Sequence, residues 1–347
     1  MKKQKKRVGI LFGGKSAEHE VSIQSAKNVF KSLDKDKYDA VLIYIDKSGI
    51  WYLYPEKYLL ESSFIKQNAS NIKGREISAL DLSVDVIFPV IHGPYGEDGS
   101  IQGFLKIINI PFVGPSVLGS AIGMDKDVSK RLLREGGLPI VDFMAFRKSD
   151  NINFSFIKKK LGLPFFLKPA NLGSSIGVMK IKNEKQFNSA INDVFSYDTK
   201  VVAEKYIRCR EIECSVLGNG SPKASIPGEI VPHHEFYDYA AKYLDDKGSE
   251  LIIPAELTRT QTKTFQELAI KAFTTLCLEG MARVDFFLSS DGIIYINEVN
   301  TIPGFTNTSM YPKLWEESGI TYKELIDKLI FFSIQRFQRE MKLKSTI

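Results

Sequence analysis

Short runs of consecutive apolar residues alternate, through the first third of the chain, with stretches in which apolar side chains recur every three or four positions. Val8 to Phe12 is such a run, closed by Gly13-Gly14, as expected of a strand buried on both faces. Ile23, Ala26, Phe30 and Leu33 follow at helical spacing, Val41 to Ile45 forms a second strand, and Val84 to Phe88 a third. Ile101, Leu105 and Ile108 mark another covering helix before Pro111-Phe112-Val113-Gly114. Strands alternating with helical periods predict βαβ units, so an open α/β sheet is expected up to about residue 122.

Beyond Met124 the pattern changes. A charged helical stretch runs through Arg134 to a stop at Gly136-Gly137. Phe165 to Lys168, Lys200 to Glu204 and Glu211 to Val216 then read as short strands, and Asn219-Gly220 and Asp291-Gly292 as hairpin turns, which together predict antiparallel sheets. Met281 to Leu288 and Ile293 to Val299 flank the second turn. A final helix is expected from Tyr322 to Met341, with Leu325, Leu329, Phe332 and Phe337 inward. No internal repeat or low-complexity tract is seen. The expected units are 1–122, 123–217 and 218–347, a mixture of α/β and α+β.

Composition narrows the function classes. Among 347 residues, 44% hydrophobic and 25% charged is ordinary globular usage. The net charge of +6 spreads over the whole length, which does not mark a nucleic-acid binder. Cys209, Cys214 and Cys277 lack CxxC spacing or a nearby His pair, so reduced, inert thiols in a cytoplasm are expected. The basic start, Met1 to Arg7, resembles part of a signal peptide, but the apolar run behind it is too short for secretion. No apolar stretch approaches the roughly 20 residues that span a bilayer, so no membrane partner is expected.

One motif is misleading. Gly9 to Ser16 satisfies the GxxxxGK[ST] pattern of a phosphate-cradling P-loop. Gly9 lies inside the apolar run, however, and Ile10, Leu11 and Phe12 would have to leave a core to form the cradle. There is also no GxGxxG opening the helix, as a dinucleotide fold would need.

The chemistry-bearing residues lie elsewhere. Glu298 and Asn300 are two apart and share a strand face, and Asp285 sits opposite them if the Asp291-Gly292 turn pairs the strands. Two carboxylates and an amide oxygen suit Mg²⁺; the other reading is an exposed acidic strand face. Arg283, in register with Asp285, is placed to stabilise developing negative charge on oxygen. Upstream, Lys168 ends a strand and leads into a Gly/Ser-rich loop to Gly177 that can close over phosphates. With Lys126, Glu204 to Ile207 and Glu211, this region offers cations for phosphates and acceptors for a nucleoside.

Seven ordered motifs carry a resemblance that covers almost the whole chain: Gly13 to Ser22, His92 to Gly99, Met124-Asp125-Lys126, Lys168 to Gly177, Phe236 to Tyr243, Arg283-Val284-Asp285, and Asn297 to Gly304. Together they resemble the D-alanine:D-alanine ligase family of ATP-grasp enzymes. That resemblance implies a three-domain ATP-grasp fold and an ATP-dependent union of two D-alanine molecules through an acyl phosphate, for peptidoglycan precursors. It also implies ATP as co-substrate, two Mg²⁺ ions replaceable by Mn²⁺, and a cytoplasmic enzyme, expected as a homodimer.

By the same resemblance, Lys126, Lys168 and Ser175 hold ATP phosphates, Glu204, Lys205, Ile207 and Glu211 bind adenine and ribose, and Lys242 reaches the transferred phosphoryl group. Asp285, Glu298 and Asn300 hold the metals, and Arg283 with the Gly304 N–H forms the oxyanion site. Glu18 meets the first D-alanine's ammonium, His92 lies beside that substrate, and Ser309 with Met310 meets the second one's carboxylate. Tyr243 bonds to Glu18 and Ser174 on lid closure. His19, His233 and His234 are expected to be structural, and Tyr237 and Tyr239 to pack on the lid. The nearest alternative is a D-alanine:D-lactate depsipeptide ligase, against which Tyr243 argues. A P-loop nucleotide switch is the alternative from another class, and predicts turnover that no amino acid stimulates.

Overall fold

The computed structural model describes residues 4–60, 74–232 and 248–344. Lys6–Gly13 lies at the heart of the first sheet, parallel to Tyr38–Ile45 on one side and Val86–Pro89 on the other. Trp51–Tyr54 and Arg75–Glu76 extend the sheet antiparallel, a continuation the apolar pattern did not signal. Val8, Ile10 and Phe12 pack on the helix His19–Ser32, whose Ile23, Ala26, Val29 and Phe30 face them. On the other face, Leu11 joins Ile101 and Leu105 of the helix Ser100–Ile107. Burial on both faces explains the unbroken apolar run. It also disposes of the P-loop, since Gly9 is a strand residue on which a Cβ would lie 2.6 Å from Ile87 Cδ1.

The central sheet is antiparallel, in the order Phe143–Arg147, Lys200–Lys205, Phe165–Pro169, Met179–Ile181. The helices Phe154–Leu161 and Glu184–Tyr197 cover it, and Phe154, Phe165 and Phe187 meet with ring centroids 5.6–6.3 Å apart. Such packing leaves the 170–178 segment as a loop projecting between two strands.

The third sheet runs Ser249–Ile252, Gly228–Pro232, Cys209–Gly218, Gly280–Ser289, Ile294–Asn300, with Lys223–Ala224 paired to Cys209–Gly218. The strand Cys209–Gly218, which a 123–217 unit would include, therefore hydrogen-bonds into the C-terminal sheet, and the sheets divide before it. The helix Arg259–Thr275, opened by a Thr258–Gln261 capping box, covers one face through Phe265, Ala269 and Phe273. Ile212, Cys214, Val216, Val284 and Phe286 point into that core. By the two-residue period, Glu213, Arg283 and Asp285 point the other way. The last helix, Tyr322–Glu340, returns to the first sheet and buries Leu325, Ile326, Leu329 and Ile330 against it.

Candidate active site

Residues from all three units border one cavity of about 750 Å³. Its floor is the polar face of the C-terminal sheet. There Arg283 stands opposite Asn300 and Asp285 opposite Glu298, because a β-bulge between the Asp285 and Phe286 pairings shifts the register set by the Asp291-Gly292 turn and so brings the four groups onto one surface. Arg283 grips Asp285 in bidentate fashion, Nε to Oδ1 and Nη2 to Oδ2 both at 2.7 Å, with Glu213 Oε2 3.0 Å from Nε. Burial opposes the guanidinium charge, but Asp285 and Glu213 hold its pKa well above the ordinary value. Asn300 Oδ1 is buried and has no hydrogen-bond partner among the described residues.

One wall supplies cations. Asp125 caps the helix Lys126–Glu135 by accepting from Asp127 N and Val128 N at 3.0 Å, and Lys200 Nζ holds the same carboxylate at 2.6 Å. Lys126, the first helical residue, donates from Nζ to Leu172 O at 2.6 Å and lies 3.3 Å from Glu298 Oε2. Behind it, Glu204 takes Lys168 Nζ on Oε1 at 2.5 Å and Lys130 Nζ on Oε2 at 2.6 Å. Burial would raise the Glu204 pKa, yet the two ammonium groups lower it to about 2. The Lys168 pKa is likewise opposed by burial and raised by Glu204, whereas burial wins at Lys130 and lowers its pKa.

The Gly/Ser loop forms the roof. Ser174 and Ser175 take φ of +53° and +57°, and Gly177 +70°, a left-handed succession that turns the chain back over the cavity. Ser174 Oγ donates to Glu18 Oε1 and so ties the roof to the N-terminal unit. Asn171 anchors the loop's start, its N–H donating to Asp198 Oδ2 at 2.7 Å. Beside Glu18, His92 is buried and donates from Nδ1 to Ile302 O at 3.1 Å, with Ser25 Oγ 3.0 Å from Nε2. Burial opposes the imidazolium, but Glu97, 3.5 Å away, and Glu18 carry its pKa above the ordinary value. Burial pushes the Glu97 pKa up in turn.

At the far end, the Thr306 N–H donates to Ser309 Oγ at 2.9 Å. A Cβ on Gly304 would lie 2.6 Å from that oxygen, so only glycine lets the backbone approach there. The cavity thus joins a cationic wall, an anionic floor and a roof that can close, the elements of phosphoryl transfer to a carboxylate.

Two family descriptions, D-ala D-ala ligase N-terminus and D-ala D-ala ligase C-terminus, match residues 7–115 and 132–331. The D-alanine--D-alanine ligase of Oceanobacillus iheyensis is 53% identical over 99% of each chain. The chain belongs to the D-alanine–D-alanine ligase family. Among solved structures, the ligase from Coxiella burnetii covers 98% of this chain, and this chain 97% of it, at 40% identity and a TM-score of 0.88. The VanG D-Ala:D-Ser ligase from Enterococcus faecalis covers 95%, and is itself covered completely, at 34% identity and 0.85. The ATP-grasp architecture expected from the motifs is therefore the fold of this ligase.

Of the expected site residues, Glu18, His92, Lys126, Ser174, Arg283, Glu298, Asn300, Gly304, Ser309 and Met310 border the cavity, and Asp285 lies on its floor. Lys168 and Glu204 adjoin on paired strands, while Lys205, Ile207 and Glu211 follow toward the C-terminal sheet. Both oxygens of Glu204, expected at the nucleoside, are on lysines. Lys242, Tyr243, His233, His234, Tyr237 and Tyr239 lie outside the described residues. His19 is structural, its Nδ1 donating to Gly14 O at 2.6 Å.

Asp285, Glu298 and Asn300 fit a hard divalent cation: all offer oxygen, and the buried amide oxygen of Asn300 has no other partner among the described residues. Among the described residues no three His, Cys, Asp or Glu gather as a metal cluster, so the amide is needed to complete the set. Sequence reasoning missed Lys130, Glu97 and Glu213. Lys130 carried a signal, four residues after Lys126 and hence on the same helix face; Glu213 carried another, two residues after Glu211 on one strand face.

Proposed function

We propose that the cavity joins two D-alanine molecules through an acyl phosphate, releasing ADP and phosphate, and that the dipeptide serves peptidoglycan precursor synthesis. The full-length likeness to a D-alanine--D-alanine ligase at 53% identity carries this reading. The geometry of the described residues supports the roles that follow, and those of Lys242 and Tyr243 rest on the family likeness.

ATP lies with its phosphates between Lys168, Lys126 and the 170–178 loop, Ser175 included, and its nucleoside along Glu204, Lys205, Ile207 and Glu211. Glu18 receives the ammonium of the first D-alanine, with His92 beside it. Asp285, Glu298 and Asn300 would hold two Mg²⁺, or Mn²⁺ in their place, and the charge of those ions would offset the repulsion between carboxylate and γ-phosphate. Ser309 and Met310 orient the second D-alanine, whose amine attacks the acyl phosphate. Arg283 and the Gly304 N–H then stabilise the tetrahedral oxyanion until phosphate leaves. Ser174 and Tyr243 tie the roof to Glu18, with Lys242 at the transferred phosphoryl group, and so keep water from the intermediate.

Phosphate release from ATP, measured over D- and L-amino acids and D-lactate, tests the reading. A marked rise with D-alanine alone is expected; no rise with any amino acid refutes it. We also place the enzyme in the cytoplasm as a homodimer. Among the described residues no helix is long and apolar enough to cross a membrane, and burial pushes the Cys209 and Cys214 thiols up to about 12, which suits inert reduced cysteines. Light scattering at twice the 39.1 kDa chain mass would support the dimer.

A further inference from the structure

The helix Lys126–Glu135 carries two lysines one turn apart with different surroundings. Lys126 reaches the cavity, while Lys130 turns inward and is 1% exposed. A lysine so buried is rare unless paired, and an apolar side chain would hold the same helix position without the cost of desolvating an ammonium group. Lys130 therefore calls for an explanation beyond packing, and Glu204 supplies it. That carboxylate receives Lys130 on one oxygen at 2.6 Å and Lys168 on the other at 2.5 Å. Glu204 is also 1% exposed, so water screens the cluster weakly.

Two ammonium groups on one carboxylate leave the cluster with a single surplus positive charge. Glu211 and Glu298 act on Lys168 from farther off, and neither shares the Glu204 contact. Without Lys130, Glu204 and Lys168 would form a balanced pair, and Lys168 would have to abandon its buried partner to meet a phosphate. With Lys130 in place, the carboxylate keeps an ion-pair partner 2.6 Å away while Lys168 turns toward a ligand.

We propose that Lys130 is a positioning residue for nucleotide binding, which occupies Glu204 so that Lys168 is released to the ATP phosphates. The proposal rests on the placement of Lys168 at those phosphates given above.

The test is calorimetric binding of a non-hydrolysable ATP analogue with Mg²⁺ to the full chain, with thermal melting to confirm folding. Lys130→Met should weaken binding about tenfold or more. The double variant Lys130→Met/Glu204→Gln restores the surplus positive charge and should bind within about threefold of Glu204→Gln alone, which already carries whatever Glu204 contributes to the nucleoside, a recovery that a packing role would not give. Lys130→Met binding within twofold of wild type overturns the proposal, as does a loss that the double variant fails to recover. Should Lys130→Met not fold, the double variant against Glu204→Gln alone decides. Equal affinities support the proposal, because Lys130 then has no carboxylate to occupy, and a further tenfold loss overturns it. Unchanged binding in Lys168→Ala would overturn the placement of Lys168 itself, and so separates failure of that reading from failure of the role of Lys130.

Discussion

Two lysines compete for the role of phosphate ligand, and each assignment makes the other dispensable. Lys168 stands 2.5 Å from Glu204 in a buried cluster beside the cavity, whereas Lys15 is exposed at the end of a strand whose Gly9 is packed against Ile87. Lys168→Ala removes a charge-assisted contact to phosphate, worth on the order of 1.5–3 kcal/mol, or about ten- to a hundredfold in affinity. It should not unfold the protein, because Lys130 stays on the other Glu204 oxygen at 2.6 Å and spares the carboxylate from being buried alone. Lys15→Ala removes a solvated charge and should change affinity by less than about twofold. Equilibrium dialysis of a labelled, non-hydrolysable ATP analogue against both variants decides between them. The reverse order, or a loss below about threefold for Lys168→Ala, would refute the ATP-grasp assignment of the phosphate site.

Tyr243→Phe should raise the ratio of depsipeptide to dipeptide made from mixed D-alanine and D-lactate by about two- to tenfold, the worth of one hydrogen bond to Glu18; an unchanged ratio with normal dipeptide synthesis makes Tyr243 a packing residue. Arg336, 4% exposed, donates to Gly114 O and to Phe112 O at 2.8 Å and so ties the last helix to the first sheet. Arg336→Met should lower unfolding stability by roughly 2–4 kcal/mol in urea while leaving nucleotide affinity unchanged, because two buried carbonyls lose their donors. Because the folded pKa of Glu204 is depressed from 4.5 to about 2, its ion pairs contribute stability that is fully present above pH 4.5 and lost as pH falls toward 2. The stability difference between wild type and Glu204→Gln should therefore be flat above pH 5 and shrink below pH 4.5; a difference that does not change with pH contradicts the pairing.

What the sequence made legible were features of local period. Glu298 and Asn300 share a strand face because they are two apart, but the residue across from them is not set by the Asp291-Gly292 turn, whose register pairs Phe286 with Ile296; a β-bulge beyond that pair brings Asp285 opposite Glu298 rather than Asn297. The misleading P-loop could be discarded for a similar reason, since Ile10, Leu11 and Phe12 belong to a run buried on both faces. Features of three-dimensional convergence were not legible. The Lys130–Glu204–Lys168 cluster needs a helix and two strands to meet, and Arg336 reads as solvent-facing until its two carbonyl partners, more than 200 residues upstream, fold beside it. The partner of the strand Cys209–Gly218, which pairs with Gly280–Ser289, was not legible because strand propensity does not encode a partner.

The charge layout follows from that convergence, and it argues for the ligand more strongly than any single residue. On the floor, Glu213, Asp285 and Glu298 stand against Arg283, with Lys126 reaching Glu298 from the wall at 3.3 Å. On the adjoining wall, Lys130 and Lys168 stand against Glu204, two cations to one carboxylate. A ligand that is uniformly anionic would be repelled by the floor, and a bare cation by the wall. A polyphosphate carrying divalent cations satisfies both, its oxygens toward the lysines and its metals toward the carboxylates and the orphaned Asn300 oxygen. The bidentate hold of Arg283 on Asp285 keeps the floor's charges paired.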